Sequence, residues 1–442
     1  MRPAHQFLQG VNVMQKCKRI RKQLNAAISA IDERHSDYCI NPEKDHTRNR
    51  KLSFETVVRT VLSMTNHSLQ AEINRYWNFS DQSPTKSAFI QQRQKISPEA
   101  FRAVFDEFTK KIIPVENFRG YRLLACDGTS VNLPRNPADT STSVHAKPTA
   151  ESYNMLHINA MYDLMNGIYT DYTIDLGMNI AESAALVQMA SKLKHPEKTI
   201  LTADRGYGYL STICKLTELR LNFVLRAKDI LSNNFLASLG LPDTEFDLDF
   251  SKILTFHRHR KFLDNPQYIV VDKRNRLDFS EKDEIPVSFR VCRFKLPSGN
   301  YECLVTNLPR SKFSVPDLSY IYHLRWGIET SFRELKYSIG LMFFHAKKLN
   351  SVLQEVHAAM LMLNFCSLVI QSVPLHQKDS WKHQHIINFA AAVGCCRSFF
   401  RSGETQILNL ILRDQSLIRP DRQYGRYLHD TKPAKSLTYR VS

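Results

Sequence analysis

The 442-residue chain lacks the sequence patterns that mark several large classes of protein. Its nine cysteines include no Cys-x-x-Cys pair, which is typical of reduced cytosolic thiols. The glycine pattern G-x-G-x-x-G of dinucleotide-binding folds is also absent. The most apolar run, residues 358–370, is shorter than the roughly 20 residues that span a bilayer, and no export signal is evident. We therefore expect a cytoplasmic protein that acts without a membrane.

Acidic residues are scarce relative to basic ones. There are 60 Lys and Arg but only 43 Asp and Glu, so the formal net charge is +17 at pH 7. An excess of this sign favours a polyanion as partner: nucleic acid first, and an anionic membrane or the ribosome surface after it. The hydrophobic share, 43%, is that of a globular chain, and the length is sufficient for two or three domains.

Residues 1–115 have a polar, helical pattern. Apolar residues recur at helix-face spacing within 53–64, and Ser97 followed by Pro98 predicts the start of another helix. Basic residues cluster at 16–22 and 48–51. We predict an all-α N-terminal module that binds DNA, although a solvated helix face has the same composition. The basic C-terminal region, 373–442, is predicted to end in a tail or a second nucleic-acid contact.

The pattern changes at Tyr121, where short apolar runs predict strands. Their order is one strand, a hairpin of two strands, a helix, a strand, a helix and a strand, which predicts a mixed five-stranded sheet with helices on its faces. Asn166-Gly167 marks the hairpin turn, and Asn179 with Glu182 predicts a capping box at the first helix. The five predicted strands are 122–127, 155–163, 168–175, 199–203 and 222–226.

Residues 228–309 are again rich in strand patterns and predict an inserted β subdomain. Two helices are predicted after it, over 317–341 and 353–371. The α/β class thus has a central domain built from 116–227 and 310–372, with the insertion between these two parts.

Two aspartates follow apolar runs at matched positions of the predicted sheet. Asp127 ends the first strand and Asp204 follows the fourth, and ligands collect at the carboxyl ends of such strands. Two adjacent carboxylates repel each other unless a cation lies between them, and Mg²⁺ or Mn²⁺ prefers oxygen ligands. A single aspartate of this kind is more often a cap or a turn former. The pair, in so basic a chain, favours a metal site.

Four polar residues further along share one face of a predicted helix. Tyr322, Arg325, Glu329 and Lys336 follow one another at steps of 3, 4 and 7. On its own this pattern indicates an exposed ladder of ion pairs. Together with the two aspartates, it predicts that Glu329 is a third metal ligand and that Arg325, Lys336 and the Tyr322 hydroxyl bind phosphates.

This spacing, Tyr-x₂-Arg-x₃-Glu-x₆-Lys, together with Asp127-Gly-Thr and Asp204-Arg-Gly-Tyr, resembles that of the DDE transposases of bacterial insertion sequences. The resemblance covers about residues 121–341. It implies a ribonuclease-H-like fold in which Asp127, Asp204 and Glu329 form a catalytic triad that binds two Mg²⁺ or Mn²⁺ ions. DNA contacts are expected from Tyr322, Arg325, Trp326, Lys336 and Arg205.

By the same resemblance, the chemistry is cut-and-paste transposition. The protein would cut at the terminal inverted repeats, form a DNA hairpin, hydrolyse it and join the ends to target DNA, acting as a homodimer in the bacterial nucleoid. Relatives supply a tryptophan from the insertion for the hairpin step, whereas here the tryptophans are Trp77, Trp326 and Trp381. Two alternatives stay open: a metal-dependent nuclease of the same fold, and an inactive DNA-binding repressor derived from a transposase.

Overall fold

A computed structural model of the chain describes residues 4–417 apart from 49, 146–150, 179, 233–234, 272–283, 376 and 379–380. The side chains of residues 4–12 and 238 are likewise outside the description. The predicted cap at Asn179 and the basic tail after residue 417 therefore lie outside the described residues.

Several helices have a side chain that caps their first turn. Ser53 Oγ accepts the backbone N–H of Thr56, and Ser97 Oγ accepts that of Glu99, with Pro98 in the first turn. The helix predicted to begin at Ser97 is thereby confirmed. The helices are α1 (Ala4–Asp32), α2 (Phe54–Ser63), α3 (Leu69–Tyr76), α4 (Lys86–Arg93), α5 (Pro98–Lys110), α6 (Glu182–Ala190), α7 (Leu210–Glu218), α8 (Arg260–Leu263), α9 (Val315–Leu324), α10 (Trp326–Arg333), α11 (Leu349–Ser372) and α12 (Phe389–Ser402).

The described strands form one large mixed sheet and a small separate ladder of two strands. Along the large sheet the order is β2-β3-β1-β5-β6-β10-β9-β7-β8, and β4 also pairs with β3. The strands are β1 (Arg122–Asn132), β2 (Ser143–His145), β3 (Ser152–Asp163), β4 (Ile168–Leu176), β5 (Thr199–Ala203), β6 (Asn222–Ala227), β7 (Phe246–Thr255), β8 (Tyr268–Val270), β9 (Glu284–Lys295), β10 (Tyr301–Thr306), β11 (His385–Ile387) and β12 (Gln415–Leu417).

Five of these strands have the order that defines a ribonuclease-H-like sheet. β4 and β1 flank β3 and run antiparallel to it, while β1, β5 and β6 follow one another in parallel. The hairpin predicted at Asn166-Gly167 joins β3 to β4, and Gly167 has the positive φ of 62° that a turn of this kind requires. The predicted α/β fold class is confirmed.

The sheet is wider than the five strands predicted. β10 pairs with the edge of β6, and β9, β7 and β8 follow outward, so the strands of residues 228–309 continue the same sheet. β7 was not predicted from the sequence. Two ion pairs close this part of the sheet, Arg290 with Asp247 at 2.6 Å and Arg293 with Asp229 at 2.9 Å.

Helix α11 is the centre of the largest hydrophobic core. Its residues pack with those of α1, α2, α5 and α12 and against one face of β1, β3 and β4. By length and composition its 24 residues could cross a membrane, and 72% of its most apolar window is buried inside the protein. The helix predicted over 353–371 is present and buried, and it extends a few residues further, from Leu349 to Ser372.

Polar side chains of α11 fix its position on both sides. Asn364 bonds to the backbone N–H and C=O of Tyr169 in β4, at 2.7 and 2.8 Å. Toward the N-terminal helices, the buried Arg93 donates to Gln354 at 2.7 Å and to Glu355 at 2.9 Å. Because a buried charge is costly unless it is paired and hydrogen-bonded, these contacts hold α4, α11 and the sheet together.

Replacing Arg93 by methionine should lower the free energy of unfolding by about 3 kcal/mol or more, because Glu355 is then left buried without its arginine partner. Denaturant unfolding of the variant and the wild type measures the change. Lys110→Met is the matched control, since it breaks an exposed pair with Glu107 at 3.2 Å that contributes at most about 1 kcal/mol. Equal losses in the two variants would contradict this role of Arg93.

The same contacts should make stability depend on acidity. Burial alone would raise the pKa of Glu355, but the charges of His345 and Arg93 lower it from 4.5 to about 2. A carboxyl whose pKa is depressed on folding adds stability above its unfolded pKa and loses it as the pH falls through its folded pKa. The stability difference between wild type and Glu355→Gln should therefore shrink between pH 4.5 and 2. A constant difference in denaturation experiments across this range would refute the assignment.

Candidate active site

The sequence predicts Asp127 at the end of its strand, but the residue lies in the middle of β1. The strand continues to Asn132 because it stays paired with β3 that far. Its parallel pairing with β5 stops earlier, where Cys126 lies opposite Ala203. Asp127 is thus the first residue of β1 beyond the last pair with β5.

Asp204 follows the last residue of β5 and is the neighbour of Asp127. Since Cys126 and Ala203 are paired in a parallel ladder, the next residue of each strand carries its carboxylate to the same place. The loop after β5 holds Asp204, whose Oδ1 accepts the backbone N–H of Gly206 at 2.7 Å. The structure therefore brings the two predicted aspartates together.

Glu329 reaches this place from α10, through Arg325. The Nη2 atom of Arg325 lies 2.8 Å from Glu329 Oε1, and its Nη1 atom lies 3.6 Å from Asp127 Oδ2. Arg325 is only 4% exposed. Its guanidinium carbon lies 5.4 Å from the ring centre of Tyr322 and 5.5 Å from that of Trp326. The guanidinium thus lies between two of the three predicted carboxylates.

The electrostatics of Asp127 are those of a buried acid among other acids. Burial raises its pKa from 3.8 to about 6. The backbone N–H of Gly128 and the charge of Arg325 oppose this rise, whereas the charges of Asp204 and Glu329 add to it. Asp204 and Glu329 are therefore both close enough to influence Asp127, and a further cation would stabilise the three carboxylates.

The single helix predicted over 317–341 is interrupted, so that prediction is wrong in detail. α9 ends before Arg325, α10 starts at Trp326, and a π turn follows over Glu334–Ser338. Gly327 lies just after the interruption, where a Cβ atom would come within 3.0 Å of Leu164. A glycine both weakens a helix and permits this close approach to the β3–β4 hairpin.

The other predicted DNA contacts are distributed around this centre. Tyr322 lies on α9 and is buried in the hydrophobic cluster between this helix and the sheet. The guanidinium carbon of Arg226 is 5.9 Å from its ring centre. Lys336 lies in the π turn, and burial lowers its pKa. Within the described part of the chain, its ammonium forms no ion pair with these carboxylates. Trp326 is 45% exposed, and Arg205 is exposed beside Asp204.

A fourth carboxylate, Glu182, lies close to Asp204, and the sequence analysis missed its role. Glu182 is the first residue of α6, and Ala181 is the N-cap, so Glu182 does not complete the predicted capping box. Its Oε1 instead lies 3.2 Å from Nε2 of the buried His157. The Nδ1 atom of His157 is 3.1 Å from Ser130 Oγ, which fixes the imidazole on the β1–β3 ladder.

Two glycines make this crowding possible. A Cβ atom on Gly128 would lie 2.3 Å from His157 Nε2 and 2.7 Å from Glu182 Oε1. A Cβ atom on Gly206 would lie 2.9 Å from Asp204 Oδ1 and 3.7 Å from Glu182 Oε2. The glycines that follow each aspartate were the available sign of a close approach, but their partners depend on a register that the sequence does not contain.

The donor set has the chemistry of a divalent-metal site. Asp127, Asp204 and Glu329 supply carboxylate oxygens, which Mg²⁺ and Mn²⁺ prefer. Burial, with the added charges of Asp204 and Glu329, raises the pKa of Asp127, and a bound cation would oppose that rise. As their side chains are placed, no three His, Cys, Asp or Glu of the described residues are grouped to hold one ion. Arg325 would have to withdraw from between Asp127 and Glu329 for these residues to close around one.

Comparison with known proteins gives one family. The family model described as a transposase DDE domain matches residues 118–365, a range that contains all four of these carboxylates and Arg325. Among solved structures, the piggyBac transposase synaptic complex with hairpin DNA, determined by cryo-EM, aligns over 90% of this chain and 84% of that one, at 10% identity and a TM-score of 0.45. No curated protein matches the chain.

Replacing Gly128 by alanine should lower the free energy of unfolding by about 1–3 kcal/mol, because the methyl group overlaps His157 and Glu182. Thermal or denaturant unfolding measures the loss. Gly394→Ala is the matched control: no atom lies within 4 Å of its added methyl group, and alanine in a helix interior adds up to about 1 kcal/mol. A Gly128→Ala protein as stable as the wild type would contradict the close packing described.

Proposed function

Since the chain belongs to the transposase DDE domain family, we propose that it cuts DNA at the ends of a bacterial insertion sequence and joins those ends to target DNA. The observation that carries the proposal is the meeting of Asp127, Asp204 and Glu329 from three separate elements. Register places the first two side by side, and Arg325 links Glu329 to Asp127. An exposed ladder of ion pairs on one helix would not produce this arrangement.

We assign Asp127, Asp204 and Glu329 as the ligands of Mg²⁺ or Mn²⁺, with two ions in each site. When bound, such ions activate the oxygen of a water or of a 3′-hydroxyl for attack on phosphorus and stabilise the oxygen that leaves. The carboxylates position and balance this charge. Glu182 and His157 pack behind Gly128 and support the strand that carries Asp127.

Arg325 is suited to bind a phosphate of the DNA at this place. Its Nε and Nη1 atoms are buried and make no hydrogen bond within the described residues, so phosphate oxygens would satisfy them. A guanidinium forms strong bonds with phosphate because both partners are charged. Tyr322 and Trp326 flank Arg325, and Lys336 and Arg205 add positive charge.

The DNA partners in this proposal are terminal inverted repeats and a target duplex, bound by a homodimer that pairs two ends in the nucleoid. A hairpin intermediate would need an aromatic ring to hold a flipped base. The insertion, 228–309, contains no tryptophan, and the exposed Trp326 beside Arg325 is the candidate. Stacking of a base on such a ring contributes roughly 1–3 kcal/mol.

Purified protein incubated in Mg²⁺ or Mn²⁺ with the DNA that flanks its gene should cut at short inverted repeats. Asp204→Asn should reduce this cleavage by at least a hundredfold while DNA binding is retained, because the amide keeps the shape but loses the charge that holds a cation. Denaturing gels of end-labelled DNA measure cutting, and gel shifts without metal measure binding. Asp249→Asn is the control, since Asp249 is exposed and its ion-pair partner among the described residues is Arg310.

The products also separate the alternatives. Cleavage without joining to a target plasmid would indicate a nuclease of the same fold. Binding without cleavage in either metal would indicate an inactive DNA-binding repressor. Cutting that is unchanged in Asp204→Asn would refute the assigned site.

A further inference from the structure

A polar cavity of about 280 Å³ lies between α2, α3 and α12, and it shares no lining residue with the carboxylate site. Its polar lining consists of Arg59, Tyr76, Asn78, Ser398, Arg401 and Ser402. The cavity thus joins the N-terminal helices to the last long helix, and its donors are guanidinium, phenol, amide and hydroxyl groups. These are the groups with which proteins bind phosphate oxygens.

Two more arginines, Arg21 and Arg75, lie next to the cavity. Arg401 donates to the backbone oxygen of Arg75 at 3.3 Å. Arg21 donates from Nε and Nη2 to the backbone oxygens of Phe400 and Arg401, at 3.0 and 3.3 Å. Burial and the charge of Arg59 lower the pKa of Arg21. Burial and the charge of Arg75 likewise lower the pKa of Arg401. The four arginines Arg21, Arg59, Arg75 and Arg401 therefore lie close enough together for their charges to interact.

Carboxylates balance only part of this charge. Glu55 pairs with Arg59 at 2.7 Å. Glu72 is buried and its Oε1 already accepts bonds from Thr65 and His67. Within the described residues, no carboxylate forms an ion pair with Arg21, Arg75 or Arg401. The charge of Glu72 acts on Arg401 without an ion pair, so part of this positive charge is left for an external anion.

A strained turn holds an aromatic ring beside the cavity. Asn78, which lines the cavity, and Phe79 follow each other with φ of 51° and 56°. Side chains other than glycine rarely adopt this conformation, and backbone strain of this kind concentrates at functional sites. Phe79 is 73% exposed. Exposed aromatic rings of nucleic-acid-binding proteins pack on nucleotides, and Phe79 directly follows a residue that lines the cavity.

We propose that this cavity binds a backbone phosphate of DNA and that Phe79 packs against the adjoining nucleotide. The inference rests on the proposed function and adds a second DNA contact, made jointly by the N-terminal helices and α12. The chemistry required is that of a phosphate. Free inorganic phosphate has the same chemistry, so the test must separate the two sources.

The test uses the full-length protein without metal and a fluorescein-labelled 25-base-pair duplex. Fluorescence anisotropy gives the dissociation constant at several salt concentrations. Each phosphate contact contributes about 0.9 to the slope of log affinity against log salt. Arg401→Gln should weaken binding about three- to tenfold and reduce the slope by about 0.9. The control Lys194→Gln removes an equal charge from an exposed residue after α6 and should change the slope by much less.

A second variant separates function from folding. Phe79→Gly removes the strain of a positive φ, so it should raise the melting temperature while it weakens DNA binding about fivefold and leaves the salt slope unchanged. A variant that is more stable but binds DNA as the wild type does would overturn the role of Phe79. This readout does not depend on whether the arginine variants fold well.

Three further outcomes separate failure of this inference from failure of the proposed function. If the wild type binds DNA but Arg401→Gln and Lys194→Gln have equal salt slopes, the inference is overturned and the proposed function still stands. A wild type that does not bind DNA at all would overturn both. If 10 mM inorganic phosphate raises the melting temperature of wild type but not of Arg401→Gln, while their DNA slopes agree, the cavity is a free-phosphate site and the DNA assignment is wrong.

Discussion

The parallel pairing of β1 with β5 is the constraint on which the rest of the site depends. It ends at Cys126 and Ala203, and the following residue on both strands is an aspartate. Two carboxylates at that spacing repel each other, and burial makes their charge more costly still. Positive charge must come from elsewhere, and Arg325 enters from the break between α9 and α10. The glycines after the aspartates follow from the same crowding, since a side chain there would overlap Glu182, His157 or Asp204 itself.

The insertion takes part in this balance of charge. Because β10 pairs with β6, Glu302 lies beside Arg226, with their atoms 3.2 Å apart. Arg226 in turn lies over the ring of Tyr322. Burial raises the pKa of Glu302, and the charges of Arg226 and Arg325 oppose that rise. A chain of charged and aromatic side chains therefore connects the strands of 228–309 with the helix that carries Glu329.

The sequence predicted what depends on local pattern and missed what depends on register. The strand 199–203 and the Asn166-Gly167 hairpin follow from apolar alternation and turn chemistry, and both are present. β7 was missed because Asp247 and Asp249 interrupt its apolar pattern, and only their arginine partners on other segments explain them. Glu182 was interpreted as part of a cap because its neighbour His157 lies 25 residues away along the chain. The interruption at Arg325 was not predicted, because the apolar residues on both sides of it have the spacing of one continuous helix.

The position of α11 has a consequence for how such a protein can evolve. This one helix bonds to the sheet through Asn364 and to the N-terminal helices through Gln354 and Glu355. A new N-terminal segment acquired by gene fusion would meet an apolar helix surface shaped for the old one. Exposed side chains of the N-terminal helices can therefore be exchanged with less disturbance of the core than the whole segment, so sequence change should concentrate at the surface while α11 changes slowly.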